Sequence, residues 1–239
     1  MKLDVLAIGA HPDDVELACG GTVALLAAQG KKVGILHLTR GERGTRGTVE
    51  EREIEARAAA DALGAVDMAF LDCGDGALRR GEAEEDALVE VLRSWRPEIL
   101  LGPTPSDRHP DHGRAHRLVA DAAFYAGLAR RGEGAPHRPG AVFSYMQHDP
   151  FTPAFITDVS PVWEKKMAAL AAYDSQLYRP DSDRNEPMTK VSSPDYWLAV
   201  EGRARHFGQM VNATFGEAFW SRLPLAITDV MQLLPGGLR

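Results

Sequence analysis

The sequence predicts an α/β fold: a Rossmann-like, doubly wound and mainly parallel sheet in a single domain, with a less regular C-terminal third. Three observations carry this. Short apolar runs alternate with helical patterns through the first two thirds of the chain, the rhythm of strand–helix–strand crossovers. The first run, residues 3–9, is nearly continuous in apolar side chains, as a strand buried on both faces requires. Glycine or proline punctuates the element ends where the chain must turn back.

The elements follow in order. After the first strand, residues 22–29 read as a helix with Gly30 in the C-cap role, and residues 32–39 as the second strand. Thr48 and Glu51 have capping-box spacing and open a charged helix over 48–63, closed by Gly64. A strand near 68–72, a helix near 84–95 and a strand over 98–102 come next, with Pro97 separating the last two. A helix over 111–128 completes the regular part. Beyond it, residues 141–146 and 154–159 look like strands and 162–173 like a helix. The polar stretch 178–193, with Pro180 and Pro187, predicts a mobile loop, and Ser193-Pro194 starts a helix running to about Asn212. With no repeat, low-complexity run or linker, residues 1–239 read as one domain.

Composition narrows the function. Lys+Arg number 27 against 34 Asp+Glu, a net charge of −7, which argues against phosphate-backbone or anionic-membrane partners. Cys19 and Cys73 are the two cysteines of the chain, too few for a disulfide framework, and no run is long enough to span a membrane. The expectation is a cytoplasmic protein that binds neither nucleic acid nor membrane.

Two similar segments carry the chemistry: His11-Pro12-Asp13-Asp14 after the first strand, and His109-Pro110-Asp111-His112 after the fourth. In a sheet of order 3-2-1-4 those strands are neighbours at the topological switch point, where ligands bind. Loops far apart in sequence therefore meet in one crevice. Two imidazoles and a carboxylate suit a catalytic zinc with one position left for water. His11, Asp14 and His112 are the expected ligands, and Asp13 is free to take a proton from water. His109, one helical turn before His112, is expected to stabilise an oxyanion or protonate a leaving amine as imidazolium, with Asp111 orienting it. His116 shares a helix face with His112 but reads as a surface residue. Iron or cobalt could replace zinc in such a site.

Gly9-Ala10-His11-Pro12-Asp13-Asp14 together with Asp107-Arg108-His109-Pro110-Asp111-His112 resembles the PIG-L/LmbE family of zinc-dependent N-deacetylases over essentially the whole chain. The likeness is strongest to the bacillithiol-biosynthesis branch, which acts on N-acetylglucosaminyl malate. Leu38-Thr39-Arg40-Gly41-Glu42, Gly47-Thr48-Val49-Glu50-Glu51-Arg52, His137-Arg138-Pro139 and Tyr173-Asp174-Ser175-Gln176 extend it, as does Glu16, set one residue beyond the Asp pair. The resemblance implies the same zinc ligands, Asp13 as general base and His109 as its electrostatic partner. It adds Arg52 as a substrate contact, Tyr196 as a tyrosine closing over the reacting carbonyl, and a homo-oligomer, a hexamer in this family. It also leaves other acetylated amino sugars open as substrates: mycothiol precursors, chitin fragments or glycopeptides.

Arg40, Arg43 and Arg46 crowd the loop after the second strand, and Arg108 sits within the second motif. Arg43, Arg46 and Arg108 join Arg52 as candidates to grip the carboxylates of an acidic aglycone. His148 in the irregular third is a weaker candidate for reaching the pocket, and Cys19 and the tryptophans read as packing residues. A serine hydrolase would need a Gly-x-Ser-x-Gly turn and a dinucleotide enzyme Gly-x-Gly-x-x-Gly; neither occurs. A two-metal phosphoesterase would need more bridging carboxylates. A non-catalytic carbohydrate-binding protein is the rival from another class, and it would have no use for the spare Asp13 and His109.

Overall fold

In the computed structural model, residues 2–180 and 184–233 are described. The chain runs β1 (Val5–Gly9), α1 (Asp14–Ala28), β2 (Val33–His37), α2 (Val49–Leu63), β3 (Asp67–Phe70), α3 (Glu82–Trp95), β4 (Ile99–Gly102) and α4 (Pro110–Tyr125). The last third adds β5 (Ala141–Tyr145), β6 (Phe155–Asp158), α5 (Trp163–Ala171), α6 (Pro194–Met210) and β7 (Gly216–Trp220). All seven strands share one sheet of order β3-β2-β1-β4-β5-β7-β6. The first five are parallel, and β7 pairs antiparallel with both β5 and β6.

Both sheet faces are covered, which is why β1 and β2 are buried along their whole length. Side chains of α1, α2, α5 and α6 form one core, including Val15, Ala56, Leu170 and Val200. Those of α3 and α4 form the other, including Leu88, Leu92, Leu118 and Ala122. The Thr48–Glu51 capping box forms as the spacing predicts, and Gly64 closes α2 at φ 78°. Among the described residues no helix is long and apolar enough to cross a membrane.

Three features differ from the sequence expectations. Helix α1 starts at Asp14, inside the first motif, instead of near residue 22. Every residue from Asp14 to Ala24 is buried, so the segment has no polar face and no amphipathic period to betray it. Strand β7 was not foreseen, because its inward-facing Glu217 interrupts the apolar pattern of a strand. The polar stretch 178–193, of which residues 181–183 lie outside the described part, is anchored instead of loose. Tyr178 O accepts from Trp197 Nε1, and Glu186 accepts from Gly47 N–H at 2.8 Å.

Candidate metal centre and active-site cleft

The loops leaving the C-terminal ends of the parallel strands meet around a cleft of about 230 Å³. Its first wall is the turn 10–13, and every carbonyl there from Ala10 to Pro12 is held from outside. Thr39 Oγ1 donates to Ala10 O at 2.9 Å, His37 Nδ1 lies 3.2 Å from His11 O, and Arg52 Nη2 donates to Pro12 O at 2.6 Å. A turn with no free carbonyls has little room to rearrange. Asp13 ends it at φ 98°, a left-handed conformation that aspartate tolerates better than most residues. It caps α1 without a side-chain capping bond, so its carboxylate lines the cleft instead. Burial pushes the Asp13 carboxyl up to about 7, opposed by Arg52 3.7 Å away.

Around Asp14 the motifs converge. His11 Nδ1 lies 3.4 Å from Asp14 Oδ2 and His112 Nε2 3.3 Å from Asp14 Oδ1. A tetrahedral cation with ligands at about 2.0–2.1 Å separates its donors by roughly 3.4 Å, and each of these two spacings is of that size, His11 facing one Asp14 oxygen and His112 the other. The other nitrogen of each imidazole faces a carboxylate. His11 Nε2 lies 3.1 Å from Asp75 and 3.3 Å from Asp111, and His112 Nδ1 lies 3.1 Å from Asp107. Such partners fix the tautomer that leaves Nδ1 of His11 and Nε2 of His112 as donors toward a metal. Burial opposes charge on these rings, yet Asp111, Asp14 and Asp75 together raise His11, and Asp14 and Asp107 raise His112 to about 9. The pocket favours positive charge at this point. Ring nitrogens of His11, His109 and His112 also lie within 4.8 Å of one another, as do donors of Asp107, His112 and His148. The first of these sets shares His11 and His112, and the second His112, with the pair of rings beside Asp14.

His109 N-caps α4, its Nδ1 accepting the Asp111 N–H at 3.2 Å. That bond places the ring proton on Nε2. Burial, then His11 and His112, lower its pKa, a direction that favours the neutral ring over the imidazolium the sequence leads one to expect. Asp111 does not orient His109 through its carboxylate. Its oxygens take His11 Nε2, Leu78 N–H and Arg114 Nη1, at 3.3, 3.1 and 2.8 Å; only its backbone meets His109.

The arginines divide. Arg43 and Arg108 are exposed and line the cleft. Arg52 also lines it, but its guanidinium is committed to Pro12 O and Gly41 O. Arg46 is buried outside the cleft wall, bonded to Ser175 O at 2.8 Å and to Glu186 O and Pro187 O. Arg40 pairs with Glu53 and Asp72. Tyr196 is buried with its hydroxyl unpartnered and is not among the lining residues. His116 is half-buried, held by Pro103 O and Ser144 Oγ, instead of at the surface.

Sequence reasoning missed Asp75, Asp107 and Gln147. Gln147 Nε2 donates to Asp14 Oδ1 at 2.5 Å, and His148 N–H donates to Asp107 Oδ2 at 3.0 Å. Asp107 stood inside the quoted second motif and its acid could have been weighed. Asp75 and Gln147 lie in loops after β3 and β5 with no motif around them.

Residues 6–123 match the family model PIG-L, described as GlcNAc-PI de-N-acetylase. The chain is 35% identical over 189 residues to diacetylchitobiose deacetylase of Thermococcus kodakarensis, covering 72% of this chain and 70% of that one. The chain belongs to the PIG-L family. A second relative, 31% identical over 72% of this chain and 73% of its own, is the 4-oxalmesaconate hydratase of Pseudomonas putida. Among solved structures, the conserved protein TT1542 of Thermus thermophilus superposes with a TM-score of 0.86 at 37% identity, covering 95% of this chain and 98% of that one. The PIG-L fold thus extends through the irregular C-terminal third, beyond the residues of the family model.

Proposed function

We propose that this PIG-L protein is a zinc-dependent de-N-acetylase of an N-acetylglucosaminide with an anionic aglycone, N-acetylglucosaminyl malate being the best match. The supporting observation is the pair of imidazoles turned toward Asp14, each with its far nitrogen on a carboxylate, beside a separate carboxylate at Asp13. A metal-free sugar-binding protein would need none of that. In this reading His11, Asp14 and His112 hold the cation. Zinc bound there supplies Lewis-acid polarisation of the acetyl carbonyl and acidification of water.

The chain's own groups do the rest. Asp13, at the cleft wall, accepts the proton of the attacking water at its carboxylate. Arg52 keeps the Asp13 turn in place through Pro12 O. His109, with its proton on Nε2, donates a hydrogen bond to the developing oxyanion. The proton held on Asp13 passes to the departing amine. Asp75, Asp111 and Asp107 hold the two ligand rings in one tautomer. Arg43 and Arg108 have no side-chain acceptor among the described residues, which supports an anionic group on the substrate.

A second reading has one observation in its favour. A relative named as a hydratase covers the same 72% of the chain as the diacetylchitobiose deacetylase, at 31% against 35% identity, and water activation beside free arginines also suits an anionic unsaturated acid. Acetate release from N-acetylglucosaminyl malate, N-acetylglucosamine and diacetylchitobiose, with and without a chelator, decides between them, with 4-oxalmesaconate as the hydratase control. The proposal expects chelator-sensitive acetate release that is fastest on the malate conjugate. Consumption of 4-oxalmesaconate with no acetate from any sugar would favour the hydratase; equal rates on all three sugars would remove the anionic aglycone.

Self-association belongs to the same proposal. Leu223, Leu225, Ile227, Val230 and Met231 are 42–73% exposed along the C-terminal segment, an apolar stretch that association with a second copy would cover. Light scattering of the full chain tests it: a monomeric mass would contradict it.

A further inference from the structure

Helix α1 breaks where it leaves the cleft. Cys19 has non-helical angles inside it (φ −137°, ψ 18°). Such a break leaves amides after it and carbonyls before it in need of partners from elsewhere. The C-terminal third supplies both. The amides of Gly21 and Thr22 donate to the two carboxylate oxygens of Glu217 at 2.9 and 2.6 Å, and the Thr22 hydroxyl adds a bond of 2.7 Å. The Leu17 carbonyl accepts from Lys166 Nζ and from Arg203 Nη2, each at 3.1 Å. Lys166 and Glu217 pair at 2.5 Å with both side chains 3% exposed. A Cβ on Gly21 would stand 2.8 Å from Val159 and 3.0 Å from Glu217, so glycine is what allows this approach.

Arg203 reaches further. Its Nη1 donates to the Gln147 carbonyl, and Gln147 in turn holds Asp14 through Nε2. Leu17 and Gln147 both line the cleft. One guanidinium thus fixes two carbonyls: one in the helical turn that Asp14 opens, the other on the residue that grips the Asp14 carboxylate. The planar fork of arginine offers Nη1 and Nη2 to the two carbonyls in a fixed geometry that the point-like ammonium of lysine does not reproduce. Among the described residues Arg203 makes no ion pair, so its charge is directed at backbone oxygens alone.

We infer that Arg203, braced by the Lys166–Glu217 pair, is a positioning residue that sets the Asp14 carboxylate and with it the affinity of the centre for its cation. This rests on the reading of Asp14 as a metal ligand. Groups that orient metal ligands typically change metal affinity by about 10–100-fold when removed.

The test uses the full chain, with zinc affinity measured by competition against a chromophoric chelator and the visible spectrum of the cobalt-substituted protein recorded alongside. Arg203→Gln is expected to weaken zinc binding about 10–100-fold and to shift the cobalt spectrum. At saturating zinc it lowers kcat while KM stays nearly constant. Combined with Gln147→Ala, the loss of zinc affinity is less than the product of the single losses, because both act on Asp14. Should Arg203→Gln fail to fold, Arg203→Lys decides, with an affinity loss of about threefold or more supporting the inference and a smaller one overturning it. Wild-type zinc affinity in Arg203→Gln, or fully multiplicative losses in the pair, would also overturn it. Asp14→Asn separates the two layers. If that variant binds zinc like the wild type, the ligand reading fails and the inference with it. If it loses zinc while Arg203→Gln does not, the positioning role alone fails.

Discussion

The N-terminal parallel half and the antiparallel C-terminal third contribute to the cleft in different ways. Strands β1 to β4 bring to the cleft, at their C-terminal ends, the groups proposed to react or to hold the cation: His11, Asp13 and Asp14 after β1, Asp75 after β3, His109 and His112 after β4. From β5 onward come mostly the groups that hold those residues still. Gln147 grips Asp14, Lys166 and Arg203 hold Leu17 O, Glu217 caps the break in α1, and Tyr145 donates to Ile8 O at 2.8 Å. On the proposed reading, chemistry and its posture are carried by different parts of the chain. A change in the first should remove turnover and leave the fold; a change in the second should cost stability and metal affinity first.

The sharpest contrast is at Asp13. Asp13→Ala is expected to lower the rate of acetate release by about 10²–10⁴, while zinc content and melting temperature stay near the wild type. Equal loss of zinc would move Asp13 among the ligands and blur the division. On the other side, Lys166→Met removes one partner of a buried ion pair and is expected to destabilise the fold by about 3–5 kcal/mol in denaturant unfolding. A loss below about 1 kcal/mol would show the pair to be no more than a surface-like contact. The smallest effect lies at the rim. Arg108→Ala should raise KM for the malate conjugate by roughly tenfold, the size of one charge-assisted contact, and leave kcat and the reaction of N-acetylglucosamine unchanged. An equal effect on both substrates would mean that Arg108 reads the sugar and not the anion.

The same division explains what could be read from the sequence. The parallel strands announce themselves by apolar runs, and α2 by its capping box and Gly64, because local chemistry decides them. The paired His-Pro-Asp segments were legible because a doubly wound sheet brings the ends of β1 and β4 together whatever lies between. The positioning groups were not. Gln147, Arg203 and Lys166 are single polar residues whose meaning is a contact with a chain segment well over a hundred positions away, and no local pattern marks them. The first turns of α1 were missed for a related reason: burial on all sides erases the periodicity that identifies a surface helix. Arg46 in its glycine-rich loop and Arg52 in the first turn of α2 looked free to grip a substrate, whereas carbonyls of Ser175 and Pro12 occupy them.

The division between reacting and positioning groups turns on which donors surround the cation. A crystal structure of the zinc-loaded protein, with an anomalous difference map at the zinc edge, tests this directly. The account predicts one peak bonded to His11 Nδ1, Asp14 and His112 Nε2, with Asp13 close but unbonded and His109 outside the coordination shell. A peak bonded to His109 in place of Asp14, or one seated between Asp107, His112 and His148, would contradict it.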